Sequence, residues 1–229
     1  MQKSDSIAPE LVESYRQDGF LIVRNLYDPT VMSDWKRKII EIMRADGTIN
    51  DPVGVRVWQH EALDSELLRG MADPKVVCIL QALTNPCVEF LSGKAVFKSA
   101  DTDFASPWHH DWAYWKGTHK ISIWIALDPA DRSNGCLKMI PGSHRKAMKC
   151  KFTEEGIGFG WRVDQAAVDR LPLEVIEVSS GDAVFFHDLT VHASYPNTAK
   201  KDRWSFIATY RDASIPDEST VWKSGMPVT

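Results

Sequence analysis

Residues 107–115 read PWHHDWAYW. His109 and Asp111 stand two apart, so in extended chain they project from one face while His110 points to the other. An imidazole nitrogen and a carboxylate oxygen on one face suit a divalent transition metal. Two histidines and one carboxylate with open positions are the arrangement of non-haem iron(II) sites. Taken alone the triplet reads more readily as a polar strand end, so a third ligand has to be found. The segment GDAVFFHDLTVHASYPN, residues 181–197, offers His187 and His192. They are five apart and face opposite ways in unbroken strand, so one of the two is expected at a metal. Arg203 follows in the run RWSFIATYR. A buried arginine there can clamp a carboxylate through two parallel N–H donors, which lysine does less well. The plainer reading is an ordinary surface ion pair.

The elements that must position these residues divide the chain in two. Pro9 opens a helical stretch that stops at Gly19, and Phe20 to Leu26 suits a strand. Asp28 can cap a helix that begins at Pro29 and runs to about Arg44, with Trp35, Ile39, Ile40 and Met43 on one side. Pro74 begins another helix that ends before Pro86. From about residue 87 short β-rich runs take over: VEFL, AVFK, ISIWIAL, LEVIEV, DAVFFH and RWSFIATYR. Helices first and many short strands afterwards predict one sheet system backed by helices rather than alternating βαβ units. A double-sheet jelly roll fits the count. One domain over residues 1–229 is expected, mainly β, with helices over about 9–92 backing the jelly-roll core. The connection from Arg145 to Pro172, with Gly156, Gly158, Gly160 and Trp161, is expected to be a long loop that covers the site.

Composition excludes several classes. The 229 residues carry a net charge of −4 and a pI near 6.0, with no basic stripe for nucleic acid. The pair Lys200-Lys201 reads as a solvated loop end. Cys78, Cys87, Cys136 and Cys150 stand at no metal or redox spacing and read as reduced thiols, mostly in the core. No apolar segment suits a leader peptide or a membrane span. A soluble, cytoplasmic protein without nucleic-acid or membrane partners is the expectation.

The chain resembles the phytanoyl-CoA dioxygenase family of iron(II)/2-oxoglutarate oxygenases. The resemblance rests on SYRQDGFLIVRNL at 14–26, WHHD with Tyr114, WIALD at 124–128, NGCLKMIPGSH at 134–144, GDAVFFHDLTVHAS at 181–194, and Arg203, all in the family's order. It implies a double-stranded β-helix of the cupin-like, jelly-roll type, and puts His109, Asp111 and His192 on iron, with His187 a non-ligand. Arg203 then pairs with the far carboxylate of 2-oxoglutarate and Ser194 supplies a hydroxyl, with Lys98 and Trp124 near the same co-substrate. His110 replaces the family's usual glutamine. The NGCLKMIPGSH segment reads as turn chemistry.

What the resemblance implies is oxidation of an unactivated C–H bond by O₂, with 2-oxoglutarate converted to succinate and CO₂ and ascorbate as a stimulant. Related halogenases lack the carboxylate ligand, so Asp111 points to hydroxylation, desaturation or ring formation. For the substrate, the strand GVRVWQH at 54–60 is expected to turn Arg56, Trp58 and His60 toward a pocket. His110, Trp112, Tyr114, Trp115 and Trp161 would complete an aromatic wall. The expected substrate is a small polar metabolite rather than a CoA thioester, which would call for a basic groove. Two other readings share the fold: a cupin-type metalloenzyme that does not use 2-oxoglutarate, and a non-catalytic jelly-roll binding protein.

Overall fold

Prolines and aspartates start the helices of the first third. In the computed structural model, which describes residues 7–50, 54–99, 105–154 and 159–228, helix α1 spans Pro9–Asp18 and ends on Gly19 at φ 83°. That left-handed backbone is the glycine signal for a helix stop. Helix α2, Pro29–Ala45, begins where the Asp28 carboxylate accepts the Thr30 amide. Its buried residues Met32, Trp35, Ile39 and Met43 recur at helical spacing and form one apolar stripe. Helix α3, Ser65–Met71, and helix α4, Pro74–Leu83, are capped in the same way by Asp64 and Asp73. The sequence pattern does not reveal α3, whose seven residues are too few to show a period.

Seven strands make the large sheet. In spatial order they are β1 (Phe20–Val23), β9 (Ala183–His187), β4 (Lys120–Ala126), β11 (Arg203–Asp212), β3 (Val88–Lys98) and β12 (Met226–Pro227), with β2 (Val55–Gln59) also paired to β3. All the pairings are antiparallel. The runs VEFL and AVFK, read as two strands, are one strand of 11 residues. Gly93 joins them because a Cβ there would meet the Phe206 ring at 2.4 Å. Glycine here makes room rather than a break.

Period-two alternation gives this sheet two working faces. Ile121, Ile123, Ile125, Phe185, Trp204, Phe206, Ala208 and Tyr210 face outward and join α2, α3 and α4 in the largest core. Each isoleucine or phenylalanine among them, fully removed from water, contributes about 1.5–3 kcal/mol. The other parity faces inward. Trp124, Ala126, Val184 and Phe186 pack there with Leu137, Met139 and Ile176 of the smaller sheet. That sheet runs β10 (His192–Ser194), β5 (Leu137–Met139), β8 (Glu174–Ile176). Two facing sheets with a helical backing make the jelly roll expected from the strand count.

Residues 145–172 are not a bare loop. They contain a hairpin of β6 (Cys150–Phe152) and β7 (Trp161–Val163) and a short helix α6 (Gln165–Val168). Gly156 and Gly158 lie outside the described residues. The four cysteines are free thiols, but only Cys136 is buried and Cys87 is exposed, so they are not chiefly core residues. Among the described residues no helix is long and apolar enough to cross a membrane.

Candidate metal centre and its cavity

His109 and His192 face each other across an antiparallel bridge. The amide of each donates to the other's carbonyl, at 3.0 and 2.9 Å. The chain does not stay extended after His109. Asp111 adopts helical dihedrals at the start of α5, Trp112–Trp115. The turn still delivers its carboxylate: Asp111 Oδ1 lies 3.8 Å from His109 Nε2 and 3.8 Å from His192 Nε2. All three residues are buried.

Hydrogen bonds behind the cluster aim the ligand atoms. His109 Nδ1 meets the Pro107 carbonyl at 2.8 Å and His192 Nδ1 meets the Thr190 carbonyl at 2.9 Å. A carbonyl can only accept, so each Nδ1 donates, and each Nε2 is the ring atom turned to the centre, where a metal would take its lone pair. Asp111 Oδ2 accepts from the Ser122 hydroxyl at 3.2 Å. Burial, with His192 beside it, pushes His109 down to about 3, so its ring is neutral at pH 7. Burial works against charge on Asp111, but His192, Lys94, His109 and the Ser122 hydroxyl together hold it below the usual carboxylate range. Two imidazole Nε2 atoms and a carboxylate oxygen converging on one point form a donor set that fits a divalent cation.

The cavity beside this cluster has a volume of about 320 Å³. At its inner end stands Arg203, 1% exposed, whose Nη1 donates to Ser205 Oγ at 2.8 Å and Nη2 to the Gly135 carbonyl at 3.1 Å. Its Nε is buried and has no partner. Burial pushes the guanidinium down to about 10, still charged at neutral pH. The Trp124 ring lies 5.4 Å from the guanidinium carbon and holds it flat. Lys98, opposite Arg203 in the β3–β11 ladder, lines the same end and donates to the Tyr195 carbonyl at 2.6 Å. Ser194 lines it too, with its hydroxyl 2.7 Å from that of Ser106. A buried cation with an unused donor is costly unless an anion completes it. The inner end therefore fits a carboxylate.

The expected substrate face is reversed. Val55, Val57 and Gln59 line the cavity, whereas Trp58 is buried in the helix-backed core and Arg56 pairs with Asp46 at 3.0 Å. The bulk of Trp58 decides this, because the helix layer buries it more completely than an open cavity would. Tyr114 and Trp115 line the cavity as expected. Trp112 and Trp161 do not; they flank Lys116, whose ammonium lies 5.1 and 5.3 Å from their rings. His110 is also outside, with Nε2 3.0 Å from the Met148 carbonyl and 3.2 Å from Cys150 Sγ. The hairpin segment does reach the centre through Phe159, whose ring lies 4.8 Å from that of His109. Ser92, Lys94, Thr209, Phe159 and Trp222 also line the cavity, and no sequence motif marks them. Lys94 shares strand parity with Lys98, but only the pairing of β3 with β2 and β11 shows which way that face looks.

A second cluster, His119, His187 and Asp188, also brings three ligand-type atoms within 4.8 Å of one another. Here the atoms are already engaged. Asp188 accepts from Trp115 Nε1 at 2.9 Å, the Lys120 amide at 3.0 Å and His119 Nδ1 at 3.0 Å. His187 Nδ1 accepts the Leu189 amide at 3.1 Å.

The phytanoyl-CoA dioxygenase (PhyH) family profile matches residues 15–205, most of the chain. The chain belongs to the phytanoyl-CoA dioxygenase family. Among relatives of that family, peroxisomal phytanoyl-CoA dioxygenase of Mus musculus is 25% identical over 212 residues, 80% of this chain and 62% of the relative. Ectoine dioxygenase of Bordetella parapertussis is 23% identical over 235 residues, 90% of this chain and 76% of the relative. The chain spans a little under two thirds of the length of the mouse protein. Among solved structures, EctD from S. alaskensis with 2-oxoglutarate and 5-hydroxyectoine superposes with a TM-score of 0.78 at 16% identity, covering 99% of this chain and 88% of that one. The carbocyclase SnoK from nogalamycin biosynthesis gives 0.75 at 22%, covering 92% and 86%. At these identities the superpositions establish the fold, and they agree with the jelly roll described above.

Proposed function

We propose that this phytanoyl-CoA dioxygenase family member is an iron(II)- and 2-oxoglutarate-dependent oxygenase that oxidises an unactivated C–H bond of a small molecule. The observation that carries this reading is Arg203: a fully buried guanidinium with an unpartnered Nε, in the same cavity as a two-histidine, one-carboxylate cluster. A metalloenzyme that binds no dicarboxylate has no use for that cation. Three converging ligand atoms in the same cavity favour chemistry at a metal over binding alone.

His109 Nε2, His192 Nε2 and Asp111 Oδ1 would hold the iron, leaving the other positions of the metal open. The iron, when bound, supplies oxygen activation coupled to decarboxylation of 2-oxoglutarate to succinate and CO₂. Arg203 takes the far carboxylate of the co-substrate, and Trp124 keeps the guanidinium plane in register. Lys98 adds a second positive charge at that end. Ser194, already bonded to Ser106, can turn its hydroxyl to the same carboxylate. Phe159 and Tyr114 stand against His109 and help keep water from the reacting centre. Asp111 as third ligand favours hydroxylation, desaturation or ring formation over halogenation. The cavity volume is near the lower end for ligand pockets, about 300–1,000 Å³, and has to hold the co-substrate as well. That favours a small metabolite over a CoA thioester.

Incubating the purified protein with iron(II), ascorbate and 2-oxoglutarate under air tests the proposal. Slow succinate formation without substrate, abolished by chelator, is the expected result. A protein that binds iron(II) but neither binds nor consumes 2-oxoglutarate would instead be a jelly-roll metalloenzyme of another kind.

A further inference from the structure

Three cations line the cavity, Lys94, Lys98 and Arg203, against a single carboxylate, Asp111, among the described residues. Arg203 and Lys98 face each other at one end. Lys94 is four residues earlier on β3, about 13 Å away at ~3.3 Å per residue. It points into the cavity between Val57 and Ile207, its neighbours in the ladders with β2 and β11. It is half-buried and makes no hydrogen bond or ion pair among the described residues. Its nearest charge partner is electrostatic: it acts on Asp111 and His109 from beyond hydrogen-bonding distance.

On the function proposed above, that partner is lost in the working enzyme. Asp111 would give its charge to the metal. The two carboxylates of 2-oxoglutarate would be taken by Arg203 and by the metal itself. A divalent metal and a dicarboxylate cancel in charge, so the excess of cations in the cavity persists after both have bound. Lys94 is then a half-buried ammonium facing an apolar chamber walled by Trp115, Trp222, Val57 and Val221. Unpaired, it is unfavourable there. Paired with an incoming anion it fixes one end of a substrate, with a C–H bond directed at the metal and Ser92 and Thr209 available for polar contacts.

We propose that Lys94 is the anchor for the primary substrate, and that this substrate is a small organic acid: a carboxylate on a compact apolar or aromatic body. The inference rests on the 2-oxoglutarate reading and adds the class of molecule oxidised. It also separates the two lysines of β3, Lys98 serving the co-substrate end and Lys94 the substrate end.

The test uses holoenzyme loaded anaerobically with iron(II) and 2-oxoglutarate. Calorimetric titration with phenylacetate, 3-phenylpropionate and cyclohexanecarboxylate is compared with titration by their primary amides, which keep the shape and lose the charge. At least one acid should bind tenfold or more tightly than its amide. That ratio should fall below about threefold in Lys94→Met and in Lys94→Gln, and return in Lys94→Arg, because about 1.4 kcal/mol separates each decade. Acids and amides that bind alike, acids that do not bind, or a ratio that survives in both neutral variants would overturn the assignment. So would a variant that weakens 2-oxoglutarate while keeping the acid preference, since Lys94 would then serve the co-substrate. The charge-transfer absorption of the iron(II)·2-oxoglutarate complex in the wild-type protein is read first. If it never forms, the function proposed above is wrong; if it forms and no acid preference follows, only the role of Lys94 is wrong.

Discussion

Two clusters in this chain contain two histidines and an aspartate, and both bring ligand-type atoms within 4.8 Å of one another. They differ in what already holds those atoms. Around His109, Asp111 and His192, the hydrogen bonds fall on the far atoms, Nδ1 of each ring and Oδ2 of the carboxylate. The near atoms are left facing each other. Around His119, His187 and Asp188, the carboxylate is filled by an indole, an amide and an imidazole. In one arrangement the supporting bonds leave the converging atoms free, and in the other they occupy the carboxylate. Residue types and proximity are common to both, so it is the direction of the supporting hydrogen bonds that separates a candidate metal centre from a polar joint.

The largest expected effect breaks the first cluster. Asp111→Ala removes the anionic ligand and leaves only the two imidazoles. Binding of iron(II), or of manganese(II) as an electron-paramagnetic probe, should weaken by at least a hundredfold. The stoichiometry of the wild type should be one ion per chain. Two ions per chain, with the second lost in Asp188→Asn, would show that the contrast between the clusters is wrong.

Next comes the buried cation with an unused donor that stands in the cavity of the first cluster; the buried Lys120 near the second is already paired with Asp217. Arg203→Ala should weaken 2-oxoglutarate binding by tenfold or more, since truncating one partner of a buried charged pair costs about 2–5 kcal/mol. Arg203→Lys should recover part of this, because the charge survives and the fork does not. Wild-type affinity in Arg203→Ala would move the clamp to Lys98.

The amino-acid sequence carries the metal side of this contrast more clearly than the substrate side. Helix starts at Pro9, Asp28 and Pro74 are legible because a cap is a local event, decided within three residues. His109, Asp111, His192 and Arg203 are legible as a set because the family's motifs stand in order. The substrate side is not. The strand at 55–59 gives an alternation but not which parity faces in, and that is decided by the helix layer that buries Trp58. Lys94 and Trp222 are hidden for a related reason. Only the pairing of β3 with β2 and β11, and the packing of Trp222 with its Nε1 donating to Ser92 Oγ at 3.1 Å, brings them to one wall. Long-range register, not composition, places them.

The second cluster should matter for stability instead. Asp188→Ala leaves the Trp115 indole N–H and the Lys120 amide without an acceptor inside the protein. Each orphaned buried donor costs roughly 1–3 kcal/mol, so a loss of about 2–6 kcal/mol is expected in urea unfolding. The ion stoichiometry should stay at one. A variant of wild-type stability would mean that these donors find water, and the joint would be dispensable.

The smallest expected effect is a dependence on acid that belongs to the second cluster. Burial pushes His187 down to about 4; Asp188 opposes this, while His119 and His144 add to it. In the unfolded chain an imidazole titrates near 6.5. The folded state therefore resists a proton that the unfolded state accepts. Stability is unaffected above about pH 7, falls as the pH drops through 6.5, and levels out below about 4. With 1.36 kcal/mol per unit, the loss reaches at most about 3 kcal/mol. His119 works the other way: its hydrogen bond to Asp188 raises its affinity for a proton, so it favours the folded state as the pH falls. Its side chain is half exposed, so solvent weakens that contribution and the loss at His187 prevails. Comparing wild type with His187→Asn at pH 7.5 and pH 4.5 isolates this contribution, because the general acid loss from carboxylates is common to both. The variant should be less stable or equal at pH 7.5 and should lose less on acidification. Parallel losses in the two proteins would mean that His187 takes up its proton in the folded state at no cost, with water reaching a ring that the structure shows as mostly enclosed.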